Sequence, residues 1–416
     1  EESTCELLLY QKGETTPVQV LAMDEDNTAG RIRHIAVCLD TPENYEYNYR
    51  IDETIIPDPY GKDFAGRQLW NQERDTQKHE VRTKIVGGTY PWEGDKPLRI
   101  PYNEVIAYSL HVRGFTKHAS SKIKHKGTFM GIIEKIPYLQ ELGINQIQCM
   151  PVYDFEENLK YTNYWGYGEG YYFAPKSSYA ASGDAVSELK LLVKSLHKAG
   201  IELVLEMPFD AETGETMMID CLRYYVREYH IDGFIVNPVR ITMDALRRDP
   251  FLACTKIMKK QDIYQNTMRR FLKGDEGMVL DVMWWLKRQS EEEGIFNYVA
   301  GHNGFTLNDV FSYDGKHNEA NGENNQDGPD FNYSWNCGAE GPSRKKTVSE
   351  LRKKQIRNAF FILLLSQGTP CILAGDEFGN TQKGNNNVYC QDNPTAWLDW
   401  SRIPKEAELL SFVKGL

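Results

Sequence analysis

From residue 105 onward the sequence alternates between short apolar runs and longer amphipathic stretches, and this alternation constrains the fold more than any other feature. The runs that we interpret as buried strands cover residues 105–110, 144–150, 201–207, 233–236, 296–300 and 370–373. Segments with helical periodicity, at 132–142, 186–199 and 217–228, lie between several of these strands. Because parallel strands need crossover connections, the alternation predicts a parallel sheet. The number of units favours a closed (β/α)8 barrel over an open sheet.

The fourth of these runs, GFIV at 233–236, ends at Asn237-Pro238. A short apolar run bounded by Gly and Pro is typical of a strand buried on both faces. In parallel α/β folds, reactive groups lie at the carboxyl ends of such strands. Asn237 is therefore a candidate site residue, and the chain has an amide at this position.

The first 70 residues follow a different pattern, in which apolar and polar positions alternate. The alternating segments are 5–10, 18–21, 35–39 and 45–50, and they predict a β-sandwich. A polar stretch with scattered Gly and Pro follows and predicts a linker. The expected parts are an N-terminal β-sandwich at 1–71, a linker at 72–103 and the barrel at 104–400. Strands five and six of the barrel are placed only loosely, between residues 255 and 281.

Charge and cysteine content limit the partners and the compartment. The net charge of -11 is spread without long blocks of like charge, which argues against nucleic acid or an anionic membrane and favours a neutral ligand. Eight cysteines without CxxC spacing predict reduced core residues in a cytoplasmic protein. No apolar run is long enough to cross a bilayer, and no signal peptide opens the chain, although its start looks cropped. No cofactor and no metal are expected.

Motifs between residues 111 and 392 carry a family resemblance. They are HVRGFT (111–116), YWGY (164–167), FAP (173–175), DGF (232–234), FLKGD (271–275), GFTLND (304–309), the run 316–341, AGDEFG (374–379) and GNNNVYCQD (384–392). These motifs resemble the isoamylase, pullulanase-like and glycogen-debranching branch of glycoside hydrolase family 13, the alpha-amylase superfamily. The resemblance implies a carbohydrate-binding β-sandwich, here partial, then a (β/α)8 barrel and a C-terminal β-domain. Residues 401–416 are then either the end of the barrel or the start of that missing domain.

The resemblance also implies the chemistry of retaining α-glucoside cleavage. One carboxylate acts as nucleophile and a second, about 5 Å away, as acid and base, while a third acid helps to distort the sugar. The motifs align the nucleophile with Asn237, the acid/base with Lys260 and the third carboxylate with Asn303. The family Arg that stands two residues before the nucleophile is Ile235 here. All three catalytic carboxylates are therefore replaced.

Strand three and the loop after strand five also depart from the family. The motif Asp-x-x-x-Asn-His reads EMPFDA at 206–211, and the loop after Lys260 is shortened to QDI at 261–263. Two interpretations stay open for the remaining acids Glu206, Asp210 and Asp232, which are either substitute catalysts or structural residues. Asn237 is either a lost nucleophile or an ordinary strand end before proline.

The resemblance implies sugar contacts at Tyr164, Tyr167, His302, Glu206 and Asp210. The apolar face of a glucose ring suits an aromatic platform, for which Tyr167 is the candidate, although both tyrosines are also compatible with core packing. His302 is interpreted as a sugar contact, because no second His or Cys stands at metal-ligand spacing. Two further stretches, WW at 284–285 and NNN at 385–387, are either packing and turn residues or additional sugar contacts.

Two hypotheses about function follow. The first is a non-catalytic pseudoenzyme that binds α-glucan such as glycogen, starch or maltooligosaccharides, and that assists an active debranching enzyme subunit. The second is an active glycoside hydrolase that cleaves α-1,6 branch points with a rearranged site. Five lost family residues at four strand ends favour the first.

Overall fold

The computed structural model describes residues 4–30, 32–72, 81–260, 262–288 and 294–416. Its strands are β1 Cys5–Gln11, β2 Gln19–Ala22, β3 Thr28–Ala29, β4 Ile32–Arg33, β5 Tyr45–Ile51, β6 Thr54–Ile56, β7 Phe64–Ala65, β8 Arg82–Lys84, β9 Ala107–Leu110, β10 Gln146–Cys149, β11 Tyr153–Phe155, β12 Gly170–Pro175, β13 Glu202–Glu206, β14 Gly233–Ile235, β15 Lys256–Lys260, β16 Gly294–Asn297 and β17 Thr369–Leu373. Its α-helices are α1 Val112–Thr116, α2 Phe129–Glu134, α3 Ile136–Glu141, α4 Ala185–Lys198, α5 Glu215–Tyr229, α6 Met243–Arg248, α7 Asp262–Lys273, α8 Val279–Lys287, α9 Leu307–Val310, α10 Lys346–Leu365 and α11 Ala407–Lys414.

A closed barrel of parallel strands confirms the predicted fold class. In the described residues it has seven strands, in the order β10-β13-β14-β15-β16-β17-β9. The strand expected between β15 and β16 is missing from this ring. These two strands pair directly with each other, and Lys260 lies opposite Phe296. The chain between β15 and β16 forms two successive helices, α7 and α8. In α7, Tyr264, Met268 and Leu272 are buried at a spacing of four residues, which is a helical period and not that of a strand.

Two local predictions were wrong. The predicted helix 132–142 is divided into α2 and α3 at Lys135, because Pro137 has no N–H to donate and is tolerated only in the first turn of a helix. The predicted strand 35–39 lies outside every strand that the structure describes. Its residues alternate between half-buried and exposed, as in a strand. They are not assigned to a strand because no described neighbouring strand pairs with them.

The N-terminal strands form an antiparallel sheet in the order β2-β1-β5-β8-β7, with β6 paired to β5. Strands β3 and β4 form a separate pair. Strand β8 comes from the segment predicted as a linker, and residues 73–80 of that segment lie outside the described residues. The predicted domain boundaries stay predictions.

A buried network of charges joins the segment after β7 to the hairpin β11–β12. The Arg67 guanidinium donates to Asp154 Oδ1 at 2.8 Å, and Lys176 Nζ lies 3.2 Å from the same oxygen and 2.5 Å from Glu157 Oε2. Burial by itself would raise the pKa of Asp154, but the charges of Lys176 and Arg67 hold it below its usual value. The network fixes the N-terminal end of the loop 156–169, which carries the aromatic residues of the site.

Candidate functional site

A cavity of about 550 Å³ opens where the barrel strands end. The barrel strands contribute Ser109, Gln148, Glu206, Lys260 and Cys371 to its wall, and Glu206 and Lys260 are the last residues of their strands. The rest of the wall is formed by Trp165, Tyr167, Asp262, Gln265, Asn266, Arg269, Phe296, Tyr298, residues 300–304, Pro329, Phe331 and Asn332. The carboxyl ends of parallel strands meet at one edge, which explains why residues so distant in sequence share one cavity.

An ion pair between Glu206 and Lys260 forms the polar floor of this cavity. Lys260 Nζ lies 2.8 Å from Glu206 Oε2, which also accepts a hydrogen bond from Gln148 Nε2 at 3.1 Å. The Tyr167 hydroxyl donates to Glu206 Oε1 at 2.8 Å. Burial alone would raise the pKa of Glu206, but the charge of Lys260 and these hydrogen bonds lower it to about 2. Glu206 is therefore ionised at neutral pH and has no proton to give to a leaving group.

His302 extends this network in its neutral form. Its Nε2 lies 2.8 Å from the Tyr167 hydroxyl, and because that hydroxyl donates to Glu206, Nε2–H of His302 must donate to Tyr167. Burial, together with the nearby charge of Lys260, lowers the pKa of His302 to about 3. The rings of His302 and Tyr167 stack with centroids 5.8 Å apart. These contacts fix the tautomer of His302 and the rotamer of Tyr167.

The structure brings only some of the predicted site residues together. Lys260, Asn303, Tyr167, His302 and Glu206 line the cavity. Asn237 follows β14 as expected but is not a lining residue. It is exposed, and its Oδ1 accepts a hydrogen bond from the Val239 amide at 3.0 Å, so it closes a turn around Pro238.

Two predicted sugar contacts also lie outside the cavity wall. Asp210 Oδ1 accepts hydrogen bonds from the Thr213 amide and hydroxyl at 2.8 and 2.9 Å, and its Oδ2 accepts one from the Tyr172 hydroxyl. Tyr164 is buried and packs its ring against His111. These contacts hold both side chains within the protein. A sugar contact by Asp210 or Tyr164 stays a prediction.

Several cavity residues were missed by sequence reasoning. Gln148 had a usable signal, because it is one of two glutamines that alternate with apolar residues in β10. Arg269 lies in α7 and donates to the carbonyls of Val299 and Asn332 at 2.7 and 3.0 Å, which ties two parts of the cavity wall together. Phe331 is 82% exposed at the rim and had no signal beyond its place in the run 316–341.

The composition of the cavity wall suits a neutral ligand with many hydroxyl groups. The wall combines aromatic faces with amide and hydroxyl groups, and its central charges neutralise each other. No group of three His, Cys, Asp or Glu side chains that could hold a metal ion occurs in the described ranges. None of the helices described here is long and apolar enough to span a bilayer.

Known proteins similar to this chain include GlgX homologs and an isoamylase. Residues 110–220 match the family model of the alpha-amylase catalytic domain. The chain is 32% identical to a glycogen operon protein GlgX homolog of Mycobacterium tuberculosis H37Rv, over 86% of this chain and 66% of that protein. It is 30% identical to a GlgX homolog of Haemophilus influenzae, over 94% of this chain and 78% of that protein. Isoamylase 1 of Oryza sativa is 29% identical, over 93% of this chain and 65% of the isoamylase.

A solved structure shows the same fold at low sequence identity. The pullulanase of Paenibacillus barengoltzii, as a mutant complexed with maltotriose, gives a TM-score of 0.77 with 21% identity, over 99% of this chain and 77% of that one. The chain spans about two thirds of the length of the mycobacterial and rice relatives. The match to the rice protein extends over 528 aligned positions, although this chain has 416 residues, so the relative has segments that this chain lacks.

Proposed function

The chain belongs to the alpha-amylase family, in the branch of the GlgX homologues and isoamylases, and from this premise we propose that it binds an α-glucan without cleaving it. The ligand is a neutral maltooligosaccharide or the outer chain of glycogen or starch. It lies in the cavity at the strand ends, and the relatives of known structure include one complexed with maltotriose.

The observation that carries this proposal is the ion pair between Glu206 and Lys260. Retaining hydrolysis needs a nucleophilic carboxylate and a second carboxyl group that can give a proton. Lys260 stands where the resemblance places that second group, and its ammonium binds the acid on the cavity floor. Asn237 and Asn303 supply amides at the other two positions, so none of the three catalytic positions of the family carries a carboxylate.

An active hydrolase with a rearranged site is the second candidate, and one observation favours it. Asp262 also lines the cavity, so two carboxylates, Glu206 and Asp262, face the same space. Asp262 accepts a hydrogen bond from the Tyr298 hydroxyl. Glu206 cannot be the proton donor of such a pair at neutral pH, because its pKa is about 2 and its carboxylate already accepts three hydrogen bonds.

Calorimetric titration with maltoheptaose, combined with an assay for reducing ends released from glycogen and pullulan, tests the proposal. We expect saturable binding with a dissociation constant between micromolar and millimolar, and no release of reducing ends above a blank. Turnover that disappears in Glu206→Gln or Asp262→Asn would establish the second candidate. Absence of both heat and turnover would contradict both.

The exposed ring of Phe331 gives a sharper test of where the glucan binds. Phe331→Ala is expected to weaken maltoheptaose binding about five- to tenfold, or about 1–1.4 kcal/mol, because the ring offers a free apolar face at the rim. Tyr167 is less available for stacking, since its ring already lies against His302.

The matched control is Phe361→Ala. Phe361 lies on α10, is 52% exposed and does not line the cavity. Its replacement removes the same side chain from the surface and should change the affinity by less than about twofold. Equal effects of the two substitutions would place the glucan site elsewhere.

A further inference from the structure

A second cavity lies outside the barrel, between α10 and the segment that leads into α11. Its volume is about 300 Å³, and it shares no lining residue with the cavity at the strand ends. Five basic side chains contribute to its wall: Arg352, Lys353 and Arg357 from α10, and Arg402 and Lys405 from the segment before α11.

The lining of this cavity is positively charged, although the chain as a whole is negatively charged. The chain has a net charge of -11, but the five basic side chains face only two acids among the lining residues, Glu406 and Glu408. Glu408 is already neutralised, because Arg357 Nη2 lies 2.5 Å from its Oε1. The remaining excess of positive charge is concentrated in one concave surface, where it attracts anions.

Two arginines in the wall have donors without acceptors. Arg402 makes no side-chain hydrogen bond and no ion pair with any residue that the structure describes, and its Nε is buried. Arg352 donates to the carbonyls of four residues, Gly341, Asn336, Ser312 and Ala339, and only its buried Nε lacks an acceptor among the described residues. Buried donors are normally satisfied, because an unsatisfied one costs free energy. The Arg402 guanidinium is therefore the group available for an acceptor from outside the chain, whereas Arg352 adds positive charge to the wall with its Nη atoms already bound to carbonyls.

We propose that this cavity binds a phosphate monoester of a sugar-sized molecule. Arginine presents a planar set of donors that matches phosphate oxygens, and an ionised acceptor makes such hydrogen bonds strong. The volume corresponds to roughly ten water molecules, which is more than a phosphate group alone fills. Asn308, Ser312 and Ser349 also line the cavity and provide polar groups for the hydroxyls of an attached sugar ring.

Calorimetric titration of the full chain with glucose 6-phosphate, inorganic phosphate and glucose tests this site. We expect saturable binding of glucose 6-phosphate that weakens as the salt concentration rises, and no binding of glucose in this cavity. Binding of inorganic phosphate should be at least about fivefold weaker than that of the ester. Equal affinity for the two phosphates would overturn the sugar part of the proposal, and no binding of either would overturn the whole.

Variants connect that binding to the cavity. Arg402→Gln should weaken glucose 6-phosphate binding at least about tenfold, because it removes the unpaired guanidinium. Lys405→Gln, at an exposed position where a folding defect is not expected, should weaken it about threefold. The control Arg344→Gln removes an exposed charge that does not line the cavity and should change the affinity by less than about twofold. Unchanged binding in both Arg402→Gln and Lys405→Gln would contradict the site.

Discussion

Lys260→Met is expected to lower the free energy of unfolding by about 3–5 kcal/mol at pH 7, because it leaves the buried Glu206 carboxylate without its ion-pair partner. Lys260 is 25% exposed, whereas Glu206 is almost fully enclosed, so most of the cost falls on the glutamate. Urea unfolding followed by circular dichroism measures the change as a shift of the midpoint.

The stability that Lys260→Met loses relative to the native chain should depend on pH in a defined direction. In the native chain the pKa of Glu206 is lowered from its ordinary value of 4.5 to about 2, so its contribution is fully present above 4.5 and is lost as the pH falls towards 2. Without Lys260, the burial that opposes ionisation is less well compensated, and the pKa of Glu206 rises. The folded variant then takes up a proton more readily on acidification, and its stability gap to the native chain narrows as the pH falls, above all from about 4.5 towards 2, where the native chain loses the contribution of ionised Glu206.

A double substitution separates the ion pair from the packing of the Lys260 side chain. Lys260→Met combined with Glu206→Gln removes both charges, and it should recover most of the stability that Lys260→Met loses. If the double variant is no more stable than Lys260→Met, the loss comes from the cavity wall and not from an unpaired charge. A stability gap that does not depend on pH would give the same conclusion.

Most of the fold could be predicted because helical and strand periods are local properties of the sequence. The helix predicted at 186–199 is α4, Ala185–Lys198, and it begins where Asp184 accepts a hydrogen bond from the Ser187 amide. The missing barrel strand could not be predicted in this way. Its loss depends on the direct pairing of β15 with β16, which joins residues separated by the whole length of α7 and α8.

The candidate site shows the same division between local and distant contacts. The motifs place Lys260 at a strand end, and the structure puts it in the cavity, but the sequence gives no sign that its partner is Glu206, 54 residues earlier. Asn237 shows the opposite case. Its side chain is held by an amide only two residues away, a local hydrogen bond that Asn commonly makes in turns. The rule that reactive groups lie at strand ends does not take into account that a local hydrogen bond can hold such a side chain away from the cavity.

Substitution of Lys176 should have the largest effect on stability outside the cavity, because this residue links two buried acids. Its ammonium lies 3.2 Å from Asp154 and 2.5 Å from Glu157, and all three side chains are inaccessible to water. Lys176→Met removes the cation from both pairs, although Arg67 still neutralises part of the charge on Asp154. The expected loss is about 3–5 kcal/mol, a large part of the roughly 5–15 kcal/mol that stabilises a typical domain.

The matched control for this prediction is Lys198→Met, which makes the same change of side chain at the surface. Lys198 is 66% exposed and lies 3.3 Å from the equally exposed Glu93, so its loss should cost no more than about 1 kcal/mol. Urea midpoints at pH 7 compare the two variants. Because the buried network holds the loop that carries Trp165 and Tyr167, Lys176→Met should also weaken maltoheptaose binding while Lys198→Met leaves it unchanged. Equal midpoints for the two variants would mean that water reaches the network and screens its charges, and the loop would then owe its position to the packing of Trp165 and Tyr167 on His302.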